Sequence, residues 1–180
     1  REIIHDVKQR EPEVVVQLNH PRLDMRLSGE ELPSDWEEII DHGQFLDHMG
    51  SAGHPYNPHQ PLNSTPNKVL IETDPNTGLS DLSFDLIEVI NPGGDQYQER
   101  IQAIRRDWLS FVKQGYRLVG TANSDSHGSD VQVAVPRTMV RINDDRVTHF
   151  KQSEFLKSLK QGDAYGTTGP MLEVSLNGVN

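Results

Sequence analysis

Phe84-Asp85-Leu86-Ile87-Glu88-Val89-Ile90 is an apolar, β-branched run that stops at Asn91-Pro92-Gly93-Gly94. Its length and its flanking breakers suit a buried strand. The period then changes. From Gln96 to about Gln114 the apolar residues Ile101, Ile104, Trp108, Phe111 and Val112 fall at helical spacing, and Gly115 stands where a left-handed residue ends a helix. Tyr116-Arg117-Leu118-Val119-Gly120-Thr121 resumes as a strand and ends in Ala122-Asn123-Ser124-Asp125-Ser126-His127. A helix between two buried strands is the unit that joins parallel strands, so this stretch predicts an α/β fold.

The same rhythm extends to both sides. Glu2 to Val7 reads as the tail of an amphipathic helix, and Val14-Val15-Val16-Gln17-Leu18 as a fully buried strand ending in Asn19-His20-Pro21-Arg22. Ser34 is placed to cap a helix carrying Trp36, Ile39 and Ile40, with a weaker stripe at Phe45, Leu46 and Met49. Residues 49–68 are rich in Pro, Asn, Gly and Ser and read as a loop-rich insertion. A third unit has a strand at Thr138 to Ile142 and a helix from about Ser153 to Gln161, closed by Gly162. Thr168-Gly169-Pro170 marks an exit, and 171–180 reads as the start of a following β segment.

Composition narrows the function classes. The 180 residues include no Cys, which removes disulfide frameworks, zinc ribbons and thiol nucleophiles. A net charge of −10 without a basic run argues against a nucleic-acid partner. No apolar run is long enough to span a bilayer, so no membrane partner is expected, and the opening residues do not read as a signal peptide. Neither the acidic charge nor the lack of Cys selects a compartment. Only 34% of residues are hydrophobic. That is below the ~45–50% (a count that includes Gly) usual for a packed domain. With Arg at position 1 and a helix already under way, these features predict a chain that is the C-terminal part of a larger domain.

Chemistry is expected where the strands end. Asn19-His20, Asn91 and Asn123 to His127 each close an apolar run, and in α/β folds ligands gather at the carboxyl ends of strands. Asp125 and His127 are spaced i, i+2, so in extended backbone a carboxylate and an imidazole project together. That donor pair suits zinc, manganese or iron. Arg22 and Arg137 are candidates to clamp an anionic substrate, or to pair with surface carboxylates. Asn91 is a candidate to orient substrate or to close its strand. Glu88, inside an apolar run, is either buried with a partner or turned to the site.

Five blocks carry a resemblance: Val15 to Arg22, Phe84 to Asn91, Asn123 to His127, Pro136-Arg137-Thr138, and Tyr165-Gly166-Thr167-Thr168-Gly169-Pro170. In this order the chain resembles the polymerase-and-histidinol-phosphatase (PHP) superfamily, in its CehA/McbA-like metallohydrolase branch. The resemblance implies that residues 1–170 are the C-terminal portion of a distorted (β/α) barrel, mainly parallel strands with helices outside. It implies metal ligands at His20, Asp125 and His127, with Asp125 and His127 also catalytic, and a divalent ion (zinc, manganese or iron) as cofactor. The implied reaction is metal-dependent hydrolysis of a phosphoester, or of a carbamate or carboxylic ester, with a small anionic or ester substrate. Arg22, Asn91 and Arg137 are the substrate-binding candidates.

One departure stands out. The family opens with a His-x-His pair, and none occurs here. His42, His48, His54 and His59 fall in or beside the loop-rich stretch and read as solvent-exposed. The expected consequence is a chain with little activity alone, which either self-associates or rearranges to cover its apolar edges. The alternative from another class is a non-catalytic binding or structural remnant.

Overall fold

The computed structural model describes residues 1–22, 56–65, 67–92, 97–129 and 132–171. The helix expected after Ser34, the stripe at Phe45 to Met49, His42, His48 and His54, and the β segment beyond Met171 lie outside the described residues. In chain order the elements are α1 (Glu2–Arg10), β1 (Gln17–Leu18), β2 (Leu86–Ile90), α2 (Tyr97–Lys113), β3 (Val119–Ala122), β4 (Arg137–Val140), α3 (Gln152–Gln161) and β5 (Ala164–Thr167).

β1, β2 and β3 form a parallel sheet with β2 in the centre. The architecture is therefore mixed α/β, as the strand–helix–strand stretch implies. β2 is buried at Leu86, Ile87, Glu88 and Val89, which fits a central strand covered on both faces. α2 packs on β2 and supplies Ile104 and Phe111, seven residues apart on one face, to a core shared with Leu18, Ile87 and Leu118. Burying a side chain the size of Phe111 is worth about 1.5–3 kcal/mol. Val112, expected on the same stripe, is instead exposed, and Asp107 takes a buried place on that face.

Two expectations are corrected. Val14, Val15 and Val16 are half-buried rather than buried, and regular pairing covers only Gln17 and Leu18. The cause is Asp85: its carboxylate accepts the Val16 N–H at 2.8 Å, while Val16 O receives the N–H groups of both Asp85 and Leu86. The third unit does not extend the parallel sheet. β4 and β5, joined through α3, pair antiparallel with Arg137 opposite Thr167 and Val140 opposite Ala164. Among the described residues the two sheets do not close a barrel. The described part of the loop-rich stretch keeps its turns and contributes to the core through Tyr56 and Leu62. It is organised by Asn67, fully buried, whose amide accepts from the Asn57 N–H and donates to the carbonyls of Asn57, Gln60 and Pro61.

α1 buries no residue. Arg1 and Lys8, two turns apart, hold it down, Arg1 on Asp81 through paired bonds of 2.6 and 2.7 Å and Lys8 on the Ser83 carbonyl and Asp85. Pairing with Asp81 pushes the Arg1 guanidinium pKa above its ordinary value. α3 ends as expected at Gly162, which takes the left-handed C-cap conformation (φ 83°) that a side chain would strain. No helix among the described residues is long and apolar enough to cross a membrane.

Candidate functional site at the strand ends

Three parallel strands deliver three polar segments to one end of the sheet. Just past β1 and β3, His20 (φ 45°) and Asp125 (φ 48°) both enter the left-handed region. Only three described residues other than Gly do so. His and Asp tolerate that backbone better than most side chains, and residues held there concentrate at functional sites. Pro21 follows His20 with its own φ fixed, which limits the ways the chain can leave β1.

The two turns bring His20 Nε2 to 3.7 Å from Asp125 Oδ2, with both side chains about one-third exposed. Beneath them lies Glu88, buried to 3% exposure. Its Oε2 accepts the backbone N–H of His20 at 2.8 Å and its Oε1 accepts the Asn123 side-chain amide at 2.9 Å. Of the two readings open for Glu88 in the sequence, the buried and partnered one holds. The register between β2 and β3 breaks between Glu88 and Ile90, a bulge of the kind that re-aims side chains beside active sites. Asn91 follows directly and donates to Asp125 Oδ2 at 3.4 Å, while its own carbonyl accepts from Arg100.

His127 stands differently. Its side chain is 79% exposed, and its Nδ1 lies 2.5 Å from the Asp125 carbonyl oxygen. A carbonyl can only accept, so Nδ1 carries a proton; the neutral tautomer compatible with this contact has its lone pair on Nε2, the one a ligating histidine needs. Arg22 pairs with Asp107, its Nε 2.5 Å from Oδ2, and donates to the Tyr56 carbonyl at 2.7 Å. Its partner is a buried carboxylate rather than one of the surface carboxylates. Arg137 is half-exposed and reaches the carbonyls of Ala134 and Gly169.

Sequence reading passed over Gln17 and Thr121. Thr121 Oγ1 lies 3.0 Å from Gln17 Oε1 and 3.4 Å from Asn123 Nδ2, which links β1 to β3 across the sheet. Alternation along β1 offers a hint for Gln17; Thr121, an ordinary strand residue, gives none.

Two donors bound at about 2.0–2.2 Å to one ion stand roughly 3–4 Å apart. The separation of His20 Nε2 and Asp125 Oδ2 fits such a pair. Among the described residues, however, no group of three or more His, Cys, Asp or Glu is arranged to hold a metal ion. The site is a two-donor nucleus with His127 beside it.

No family model, curated protein or solved structure matches the chain.

Proposed function

We propose that the chain forms part of a PHP-type metal-dependent hydrolase domain acting on phosphoesters, with His20, Asp125 and His127 as metal ligands. The observation that carries this reading is the convergence of His20 and Asp125. They come from strands on opposite sides of β2, both adopt left-handed backbone, and they meet over a buried carboxylate. A divalent ion held there by His20, Asp125 and His127 would supply an acidified water and polarise a phosphoryl oxygen. The chain's own residues do the rest. Glu88 fixes the backbone of His20 and the side chain of Asn123. Asn91 donates to Asp125 Oδ2, so Oδ1 would be the oxygen placed to accept a proton from water. His127 presents Nε2 from the same loop.

The second reading is a domain that keeps the rim without catalysis. Calorimetric titration with Zn²⁺ and Mn²⁺ separates the two. The hydrolase reading expects one binding site, weakened about tenfold or more in both His20→Ala and Asp125→Ala. Metal binding indifferent to both substitutions overturns it. Assays with p-nitrophenyl phosphate and p-nitrophenyl acetate then report which ester class, if either, is cleaved.

A further inference from the structure

A cleft of about 820 Å³ opens between α2, β3 and the turn joining α3 to β5. Trp108 and Ile101 from α2, Val119 of β3 and Tyr165 of β5 line it. The wall depends on Gly120. A Cβ at that position would lie 2.9 Å from the Trp108 ring, so only glycine lets the indole rest against the strand. The indole Nε1 donates to the Leu118 carbonyl at 2.7 Å, which satisfies its one polar atom and leaves an apolar surface.

The charge around this surface is inverted relative to the whole molecule. The chain carries 27 acidic residues against 17 Lys and Arg, yet among the described residues Arg105, Arg117 and Lys160 line the cleft and no Asp or Glu does. Among the described residues none of these three cations makes an ion pair. Lys160 also borders an adjoining groove that includes Glu13 and Glu154, so Arg105 and Arg117 are the cations particular to this cleft. Unpaired guanidinium groups beside an aromatic wall match one ligand chemistry, an apolar body with an anionic head. The volume lies within the ~300–1,000 Å³ of small-molecule pockets.

We propose that this cleft binds a small amphipathic anion, its apolar body against Trp108 and its anionic head between Arg105 and Arg117. His20, Asp125 and His127 do not line it, so the site stands independently of the metal reading.

The test titrates the full chain with 8-anilinonaphthalene-1-sulfonate, read by energy transfer from tryptophan, beside its uncharged analogue N-phenyl-1-naphthylamine. Trp36→Phe leaves Trp108 as the sole donor. The expected result is one site per chain, with the sulfonate bound about tenfold or more tightly than the neutral probe. Arg105→Glu/Arg117→Glu should remove that preference and leave the neutral probe unaffected. Both side chains are exposed, and Arg105→Gln/Arg117→Gln carries the same test if charge reversal disturbs the fold. Equal affinity for the two probes, or a preference that survives both double variants, overturns the proposal.

Discussion

The carboxylate of Glu88 accepts the His20 backbone N–H at 2.8 Å on one oxygen and the Asn123 side-chain amide at 2.9 Å on the other. A single acid of the central strand thus ties together the ends of the two strands beside it. Glu88→Gln keeps the shape but turns an NH₂ toward one of the two donors. With Glu88 buried, the expected loss is about 1–3 kcal/mol in a urea unfolding curve. An unchanged midpoint would show that the strand ends hold themselves.

The proposed metal site should stabilise the chain through His20, Asp125 and His127. At a free concentration one hundred times the dissociation constant, binding to the native state alone adds about 2.7 kcal/mol. Thermal melts with and without Zn²⁺ should show a rise in wild type, none in Asp125→Ala and a smaller one in His127→Ala, whose side chain is mostly exposed. Equal rises in all three proteins place the bound metal elsewhere.

Arg22 and Asp107 form a buried ion pair just after β1, the carboxylate 1% exposed and the guanidinium 12%. Removing one partner of a buried pair leaves an uncompensated charge, so Asp107→Ala should cost about 3–5 kcal/mol. The double variant Arg22→Met/Asp107→Leu should cost less than the single one, as measured by denaturant unfolding. A double variant worse than Asp107→Ala would contradict this account.

What could be read from the sequence divides along physical lines. β2 and α2 were legible because their apolar residues repeat at the strand and helix periods, and Gly115 (φ 94°) marks the end of α2 as expected. β5 was not: Ala164-Tyr165-Gly166-Thr167 has no apolar alternation, and its place depends on pairing with β4. The Val14 to Val16 run misled because its pairing is interrupted by the Asp85 side chain, a long-range contact that no local pattern records. At the site, the grouping of His20 and Asp125 follows from strand ends in a parallel sheet. The engagement of Arg22 with Asp107, 85 positions away, does not.

The turn before α3 offers a pH experiment. Asp144 accepts from Arg146 and His149, and chiefly through the Arg146 hydrogen bonds its carboxyl pKa falls far below the ordinary 3.8. A depressed folded-state pKa contributes stability above the unfolded carboxylate range, lost only as pH falls through the folded value. In a ¹³C-carboxyl NMR titration Asp144 should therefore stay ionised at pH 3. Protonation of Asp144 near pH 4 would show that the Arg146 contact does not persist in solution.

Gly120→Ala should destabilise the chain by about 1–3 kcal/mol, the usual cost of overpacking. The added Cβ meets the Trp108 ring at 2.9 Å, and the indole must leave the strand to make room. A red-shifted tryptophan emission in the Trp36→Phe background should accompany the loss. A variant with wild-type emission and stability would mean that the indole yields without cost.

Thr138 Oγ1 receives the Ala122 N–H and donates to the Ala122 carbonyl, each at 2.9 Å. One hydroxyl of β4 thereby occupies both backbone groups of the last residue of β3, at the seam between the parallel sheet and the antiparallel ladder. The two sheets are two leaves on a short spine, and Asp125 sits three residues beyond that spine on the chain that crosses between them. Asp125 therefore starts from a backbone position that a side chain of the neighbouring sheet already fixes.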